Sequence, residues 1–244
     1  MCTLTYRLTD QGYQLFFNRD EQKTRAIAKA PILNHELKSA FPIDPAGGGT
    51  WIGVHESGLS LALLNNYQAQ IDPLLKDFTS RGTIIPLLLA DPEHVHEKIL
   101  SMDLSVYQAF KLCIFSGRLS LQNRSDEKAI AYVWDGKKLT HSKLSVLNAL
   151  PITSSSIELE NVTHHRKQVF KRLINKASTE QDYQRFHQNQ MGGGKYSVKM
   201  FREDAQTVSF TQISVHNKQA LGEKVTIEYS DYLTPKSELE KLFL

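Results

Sequence analysis

Cysteine is scarce in this chain of 244 residues, which contains only Cys2 and Cys113. Two distant cysteines cannot form the dense disulfide framework of a small secreted domain. The first ten residues, MCTLTYRLTD, also lack the cationic and apolar regions of a signal peptide. We therefore expect reduced thiols and a cytoplasmic protein. Cys113 lies in the apolar segment 110–115 and is predicted to be a small core side chain.

Long hydrophobic runs are also missing from the sequence. The longest, residues 84–90, is far shorter than the roughly 20 apolar residues that span a bilayer, so no membrane segment is predicted. The net charge is +3, and the basic residues are interspersed with acids, so nucleic acid is not an expected partner. Because no linker rich in Pro, Gly or Ser divides the chain, we expect a single domain over residues 1–244.

Motifs for common cofactors are absent as well. Gly47-Gly48-Gly49-Thr50 lacks the lysine of a phosphate-binding loop, and Gly192–Lys195 is followed by Tyr196 where such a loop needs Ser or Thr. His94 and His96 are two residues apart in a predicted helix, so their side chains point to different faces. We therefore expect no metal site and no cofactor.

A β-hairpin is the clearest pattern that is present. Residues 2–9 alternate between apolar and polar side chains, residues 10–12 are turn formers, and residues 13–17 continue as a second strand. A register slipped by two residues would bring Glu21 beside Cys2. If the apolar sides share a face without a slip, the pairs are Leu8 with Tyr13, Tyr6 with Leu15, Leu4 with Phe17, and Cys2 with Arg19.

Cys2 would become a nucleophile if Met1 were removed, as we expect before so small a residue. An α-amine has a pKa of about 7.7–8.0, which suits a general base, and a thiol with its own amine as base is a self-contained nucleophile. Arg19 would lower the pKa of the thiol, and Asp20 would bind and orient the ammonium group. The alternative is an incidental cysteine beside a solvated Arg–Asp pair at a strand end.

Further strands are predicted along the chain. Residues 50–64 read as a second hairpin, and residues 132–139 as a third with a type I′ turn at Asp135-Gly136. Residues 195–215 return to strands, and a change in the phase of their alternation predicts a bulge near Gln212.

Helices are predicted mostly in the middle of the chain. One follows an N-cap at Asp91, one covers residues 159–177, and a last one covers Pro235–Phe243 with Thr234 as its cap. Strands at both ends with helices between them favour an α+β fold, with antiparallel sheets under helices.

Several short segments together resemble a known family. They are Met1-Cys2, Asn18-Arg19-Asp20-Glu21, Arg25, Gly48–Val54, Gly58-Leu59, Leu63–Tyr67, Ser80-Arg81-Gly82, Tyr196–Val198 and Asp204–Ser209. They follow the order typical of the NRDE family, also called the Transport and Golgi organisation protein 2 family, and cover most of the chain. That family is similar to the N-terminal-nucleophile (Ntn) hydrolases, especially the cysteine group with penicillin V acylases and bile salt hydrolases.

The resemblance implies a four-layer αββα sandwich of antiparallel sheets. It also implies that Cys2 of the processed chain attacks an amide or thioester carbonyl, while Arg19 and Asp20 hold its thiolate and amine. An asparagine after the second hairpin would help to bind the oxyanion. Asn66 is the best match for it, with Asn65 as its neighbour.

Five residues are predicted to contact the substrate. Asn18 reaches the chain terminus together with Arg19, and Trp51 belongs either to the core or to the wall of the site. In the acylases an asparagine follows a threonine in the middle of the chain, whereas here Ser154 stands there and can donate one hydrogen bond. Arg202 is the nearest candidate for a late arginine of the acylases. The complete set is Asn18, Trp51, Asn65, Ser154 and Arg202.

Two functions are compatible with these residues. The first is an Ntn cysteine amidohydrolase or acyltransferase that acts on an amide or thioester of a small molecule. The second is a non-catalytic carrier or chaperone for a hydrophobic ligand such as haem, an acyl-CoA or a lipid, because members of the family have been linked to haem handling and lipid metabolism. Free His and Cys side chains could ligate haem iron, although the sequence has no haem attachment motif.

Overall fold

Two stacked antiparallel sheets organise the computed structural model, which describes residues 1–69, 77–123, 129–144, 150–217, 223–234 and 240–244. In chain order the strands are β1 (Cys2–Thr9), β2 (Gly12–Gln22), β3 (Lys29–Asn34), β4 (Ser39–Ile43), β5 (Ile52–His55), β6 (Ser60–Asn65), β7 (Phe110–Phe115), β8 (Ala129–Trp134), β9 (Leu139–Lys143), β10 (Ile152–Ser154), β11 (Ala205–His216), β12 (Val225–Asp231) and β13 (Glu240–Phe243). The helices are α1 (Ile84–Leu89), α2 (Val95–Ser101), α3 (Leu159–Leu173) and α4 (Glu180–His187).

The two sheets differ in how their strands follow the order of the chain. The six-stranded sheet has the order β10-β1-β2-β11-β12-β13, so the N-terminal hairpin lies between strands from the second half of the chain. The seven-stranded sheet runs from β3 to β9 in sequence order, each strand beside the next.

Helices cover the outer face of each sheet. The helix α1 packs on β5 and β6, while α3 packs on β10 and α4 on β1 and β2. Between the sheets, aromatic and aliphatic side chains meet, as where the rings of Tyr6 and Phe115 lie 5.1 Å apart. The result is the predicted α+β sandwich with layers in the order αββα.

The predicted register of the first hairpin is confirmed. The structure pairs Leu8 with Tyr13, Tyr6 with Leu15, Leu4 with Phe17, and Cys2 with Arg19. The strand β2 is buried on both faces, because its odd-numbered side chains face the other sheet and its even-numbered ones face α3 and α4. Polar residues of β2 therefore have to find partners inside the protein.

Three helical predictions need correction. The helix α2 begins at Val95, and Asp91 instead accepts a hydrogen bond from the side chain of His94 in the preceding turn (3.0 Å). The predicted helix over residues 159–177 ends at Leu173. Residues 240–243 form the strand β13 rather than a helix, because they pair with β12 at the edge of the sheet; residues 235–239 of that prediction lie outside the described residues.

Two helices of the structure were not predicted from the sequence. The helix α4 has a capping box in which Thr179 and Asp182 exchange hydrogen bonds with each other's main-chain N–H groups. The helix α1 is a short run of apolar residues whose periodicity is too brief to assign.

Two details of the strands also differ from the predictions. The turn of the third hairpin is not type I′, because only Gly136 has a positive φ there, while the carboxylate of Asp135 accepts the N–H groups of Lys137 and Lys138. The bulge in β11 lies between Thr207 and Ser209 rather than near Gln212. The change of phase arises because both faces of this strand are buried, so apolar residues can switch faces without a bulge.

Candidate active site

Cys2 lies directly opposite Arg19 at the end of the first hairpin. The preceding pair exchanges both main-chain hydrogen bonds: the Met1 amine donates to the Asp20 carbonyl (3.0 Å), and the Asp20 N–H donates to the Met1 carbonyl (2.9 Å). Because such pairs alternate along an antiparallel ladder, Cys2 and Arg19 form a non-hydrogen-bonded pair with close side chains. The main-chain N–H of Cys2 consequently points towards β10, where Ser154 is its partner.

A cavity of about 560 Å³ opens beside Cys2. Of the residues predicted for the site, Cys2, Arg19, Asp20, Trp51 and Asn65 line it. The remaining lining that matters here comes from Met1, Glu21, Arg25, Asp44, Tyr67 and Arg81. The cavity is therefore charged and polar, with an aromatic side at Trp51 and Tyr67.

Two glycine loops form one wall of the cavity. A Cβ atom on Gly49 would lie 2.2 Å from the carbonyl carbon of Gly82, so only glycine permits this approach of the two backbones. The Thr50 N–H donates to the Gly82 carbonyl over 3.0 Å and ties the loops together. The wall thus brings residues 47–51 and 79–82 to the same site.

Arg19 is held by three neighbours on the floor of the cavity. Its guanidinium carbon lies 4.4 Å from the centre of the Trp51 ring, and Nη2 lies 3.2 Å from Glu21 and 3.6 Å from Asp44. Arg25 pairs with Asp44 at 2.6 Å. Burial alone would raise the pKa of Asp44, but the hydrogen bond from Arg25 and the charge of Arg19 outweigh it and lower that pKa. The positive charge of Arg19 is therefore shared with two carboxylates.

The thiol of Cys2 is neutral at neutral pH while Met1 is attached. Burial raises its pKa to about 11. The N-terminal ammonium, the main-chain N–H of Asp20 and the charge of Arg19 act in the opposite direction but do not prevail. None of these groups can accept the thiol proton, so activation of this thiol requires a base beside it.

The Asp20 side chain turns away from Cys2 towards the helices. Its carboxylate accepts a hydrogen bond from the Thr207 hydroxyl (2.6 Å) and pairs with Arg166 of α3 at 3.4 Å, where both side chains are fully buried. Arg166 also donates to the hydroxyl of Thr3. Asp20 thus contacts the N-terminal amine through its main-chain carbonyl, and its carboxylate anchors α3 under the hairpin.

The three asparagines predicted for the site separate in the structure. Asn18 is buried on the helix side, where it donates to the carbonyls of His187 (2.8 Å) and Val198 (3.1 Å). Asn66 donates to the carbonyl of Trp134 (3.4 Å) and is not among the residues that line the cavity. Asn65 does line it and donates to the Tyr67 hydroxyl over 2.7 Å. Strand alternation explains why one of two adjacent asparagines reaches the cavity.

Ser154 and Arg202 lie near the N-terminus rather than in the cavity wall. Ser154 is the β10 partner of Cys2, and its buried hydroxyl has no hydrogen-bond partner in the described parts of the chain. The neighbouring Ser155 donates to the Met1 sulfur at 2.9 Å. Arg202 reaches the same sulfur from the other side at 3.6 Å. Met1 therefore packs its side chain against Met200 and Ala205 at the border of the cavity.

Sequence reasoning missed several residues that the fold brings to Cys2. Arg166 could have been noticed, because it falls on the apolar stripe of α3 with Val162 and Val169, where a charge must have a buried partner. Arg81 and Tyr67 lie within the segments that carry the family resemblance, but the resemblance alone assigned no role to either residue. Nothing in the sequence indicates Asp44, which folding brings to Arg19.

Across the residues that the structure describes, no group of three or more His, Cys, Asp or Glu side chains is arranged to hold a metal ion. In the same residues, no helix has the length and apolar character needed to cross a membrane.

The chain is similar in fold to solved structures that are named as an amidase, a hydrolase and an acylase. The chain is similar to a Caenorhabditis elegans N-acylethanolamine-hydrolyzing acid amidase ortholog, with TM-score 0.58 and 10% identity over 92% of this chain and 98% of that one. It is similar to a mutant conjugated bile acid hydrolase from Clostridium perfringens, with TM-score 0.56 and 12% identity over 100% of this chain and 92% of that one. It is also similar to the penicillin V acylase from Agrobacterium tumefaciens, with TM-score 0.57 and 10% identity over 100% of this chain and 86% of that one. The fold is thus that of the Ntn hydrolases.

Sequence comparison then identifies the family. The model of the family "Transport and Golgi organisation 2" matches residues 1–234, and the chain belongs to that family. No curated protein matches the chain by sequence.

Proposed function

We propose that the protein is an Ntn cysteine hydrolase or acyltransferase that acts on an amide or thioester, with Cys2 as its nucleophile after removal of Met1. The observation that carries the proposal is the position of Cys2, which opens into a cavity of about 560 Å³ while lying opposite Arg19 at the chain terminus. The shared fold of the amide hydrolases supports it.

Loss of Met1 supplies the missing base. The new α-amine belongs to the same residue as the thiol and would lie at the β10 side, beside Ser154. In its neutral form it accepts the thiol proton, and the thiolate attacks the substrate carbonyl. Arg19 stabilises the thiolate across the hairpin. The two main-chain hydrogen bonds between Asp20 and Met1 are lost when Met1 is removed.

The reaction then follows an acyl-enzyme sequence. The bond from Cys2 sulfur to the carbonyl carbon forms as negative charge moves to the carbonyl oxygen. Asn65, which lines the cavity, would donate a hydrogen bond to that oxyanion. Collapse expels the amine or thiol, which takes the proton from the Cys2 ammonium, and water or another acceptor releases the acyl group.

The test is to measure the intact mass of the protein and its rate of alkylation by iodoacetamide, in a Cys113→Ala background that leaves one thiol. We expect a mass without Met1 and one rapid adduct. Protein that retains Met1, made with methionine removal inhibited, should react about 30-fold more slowly than an ordinary cysteine at pH 7.5. A thiol pKa of about 11 lowers the thiolate fraction roughly 300-fold relative to a pKa of about 8.5, and the greater nucleophilicity of the more basic thiolate restores about tenfold.

Cys2→Ser in the same background is the control, because it should give no adduct. Retained Met1 together with a slow Cys2 would contradict the proposal. If haem titration of that unreactive protein shifted the Soret band, and Cys2→Ala abolished the shift, the carrier function would be supported instead.

A further inference from the structure

Among the described residues that line the cavity, Arg81 is an arginine without an ion-pair partner. Arg19 and Arg25 share the carboxylates of Glu21 and Asp44, with four ion-pair contacts between 2.6 and 3.7 Å. Arg81 forms no ion pair with any residue that the structure describes. Its guanidinium group, on the wall of an open cavity, is therefore available to an anionic ligand.

The side chain of Arg81 is held in a fixed position with donors to spare. Its Nη1 atom donates to the Ala109 carbonyl over 3.0 Å, which leaves Nε and Nη2 without an acceptor among the described residues. These two atoms form one side of the guanidinium fork, the geometry that matches two oxygens of one anion. The Gly49–Gly82 contact fixes the adjoining backbone.

Arg81 and the reacting thiol belong to the same site. It lines the same cavity as Cys2, and Tyr67 stands near both. Burial lowers the pKa of Arg81, while Tyr67, Cys2 and Glu21 act in the opposite direction. Polar side chains that could complete an anion site, Thr79, Ser80 and Gln108, also line the cavity.

We propose that Arg81 binds an anionic oxygen group, a carboxylate or a phosphate, of the substrate whose carbonyl Cys2 attacks. The substrate class is thus an amide or thioester that carries an acidic group within reach of the thiol. The inference rests on the proposed function for the reaction, but the anion site itself can be tested without turnover.

The experiment measures the binding of three probes to the Cys2→Ala protein by titration calorimetry at low salt. The probes are N-acetylglycine, the isosteric neutral N-acetylglycinamide, and inorganic phosphate. We expect N-acetylglycine or phosphate to bind at least about tenfold more tightly than the neutral amide, as for a charge-assisted bidentate contact. The tighter of the two anions identifies the group that the site takes.

Arg81→Gln should abolish this preference for anions, and Arg81→Lys, which keeps the charge but not the fork, should retain part of it. The matched control is Arg185→Gln, because Arg185 is an exposed arginine on α4 and its loss should change nothing. Circular dichroism and thermal unfolding of each variant confirm the fold. Equal binding of charged and neutral probes, or unchanged anion binding by Arg81→Gln, would overturn the inference.

The outcomes separate this inference from the proposed function. If no amide or thioester is ever cleaved but anion binding depends on Arg81, the anion site stands and the hydrolase fails. If cleavage depends on Cys2 but Arg81→Gln keeps the same KM preference for charged over neutral substrates as the unaltered protein, the hydrolase stands and the anion site fails.

Discussion

Replacing Cys2 with serine should lower turnover of an amide or thioester substrate by at least about 1,000-fold, the scale seen when a covalent nucleophile is removed. A serine hydroxyl has a far higher pKa than a thiol, so a neighbouring α-amine cannot activate it to the same extent. The measurement is kcat/KM for a panel of N-acyl amino acids and acyl thioesters. In the unaltered protein, the rate should rise with pH and level off above about pH 8, because the α-amine acts in its neutral form.

Cys113→Ser is the matched control for this prediction. Cys113 is fully buried in β7 of the other sheet, and it is not among the residues that line the cavity. Its replacement should leave kcat/KM unchanged, although it can cost some stability. Full activity in Cys2→Ser would remove Cys2 from the mechanism, whatever reaction the protein catalyses.

Replacing Arg166 with methionine should lower the free energy of unfolding by about 3–5 kcal/mol, because it leaves a buried carboxylate without its cation. Asp20 and Arg166 have no solvent-exposed side-chain surface and lie 3.4 Å apart. Methionine fills a similar volume, so the loss should come from the unpaired charge rather than from a void. Urea unfolding followed by circular dichroism measures the change.

The double variant Asp20→Asn with Arg166→Met tests the cause. Since it removes both charges, it should be more stable than Arg166→Met alone. With the single variant Asp20→Asn measured as well, the double-mutant cycle gives the coupling energy between the two residues. Arg172→Met is the matched control, because Arg172 lies on the exposed side of the same helix. An Arg166→Met protein as stable as the control would show that the pair contributes nothing.

Local patterns in the sequence predicted the first hairpin correctly, because a period of two and a short turn determine its register. Cys2 and Arg19 therefore stand where the alternation places them. Residues near the ends of strands were harder to place. The sequence cannot show that Asn65 rather than Asn66 reaches the cavity, since a single step along a strand reverses the face of a side chain.

Contacts between distant segments could not be predicted from one sequence. The pairing of Asp20 with Arg166, and of Arg19 with Asp44, depends on how helices and loops pack against the hairpin. The same holds for residues 240–243. Their sequence pattern predicts a helix, but they form a strand because they pair with the edge strand β12. Tertiary context decides such short segments.

The unequal make-up of the two sheets has a consequence for the order of folding. Strands β3 to β9 pair with their neighbours in the chain, so they can assemble while the polypeptide is still being synthesised. The strand β2 must wait for β11, which begins at residue 205, and closing so long a loop is slow. We expect pulsed hydrogen exchange during refolding to show amides of β5 to β8 protected before those of β2 and β11. The nucleophile would then be the part of the molecule that is ordered last, after the cavity wall from the other sheet is in place.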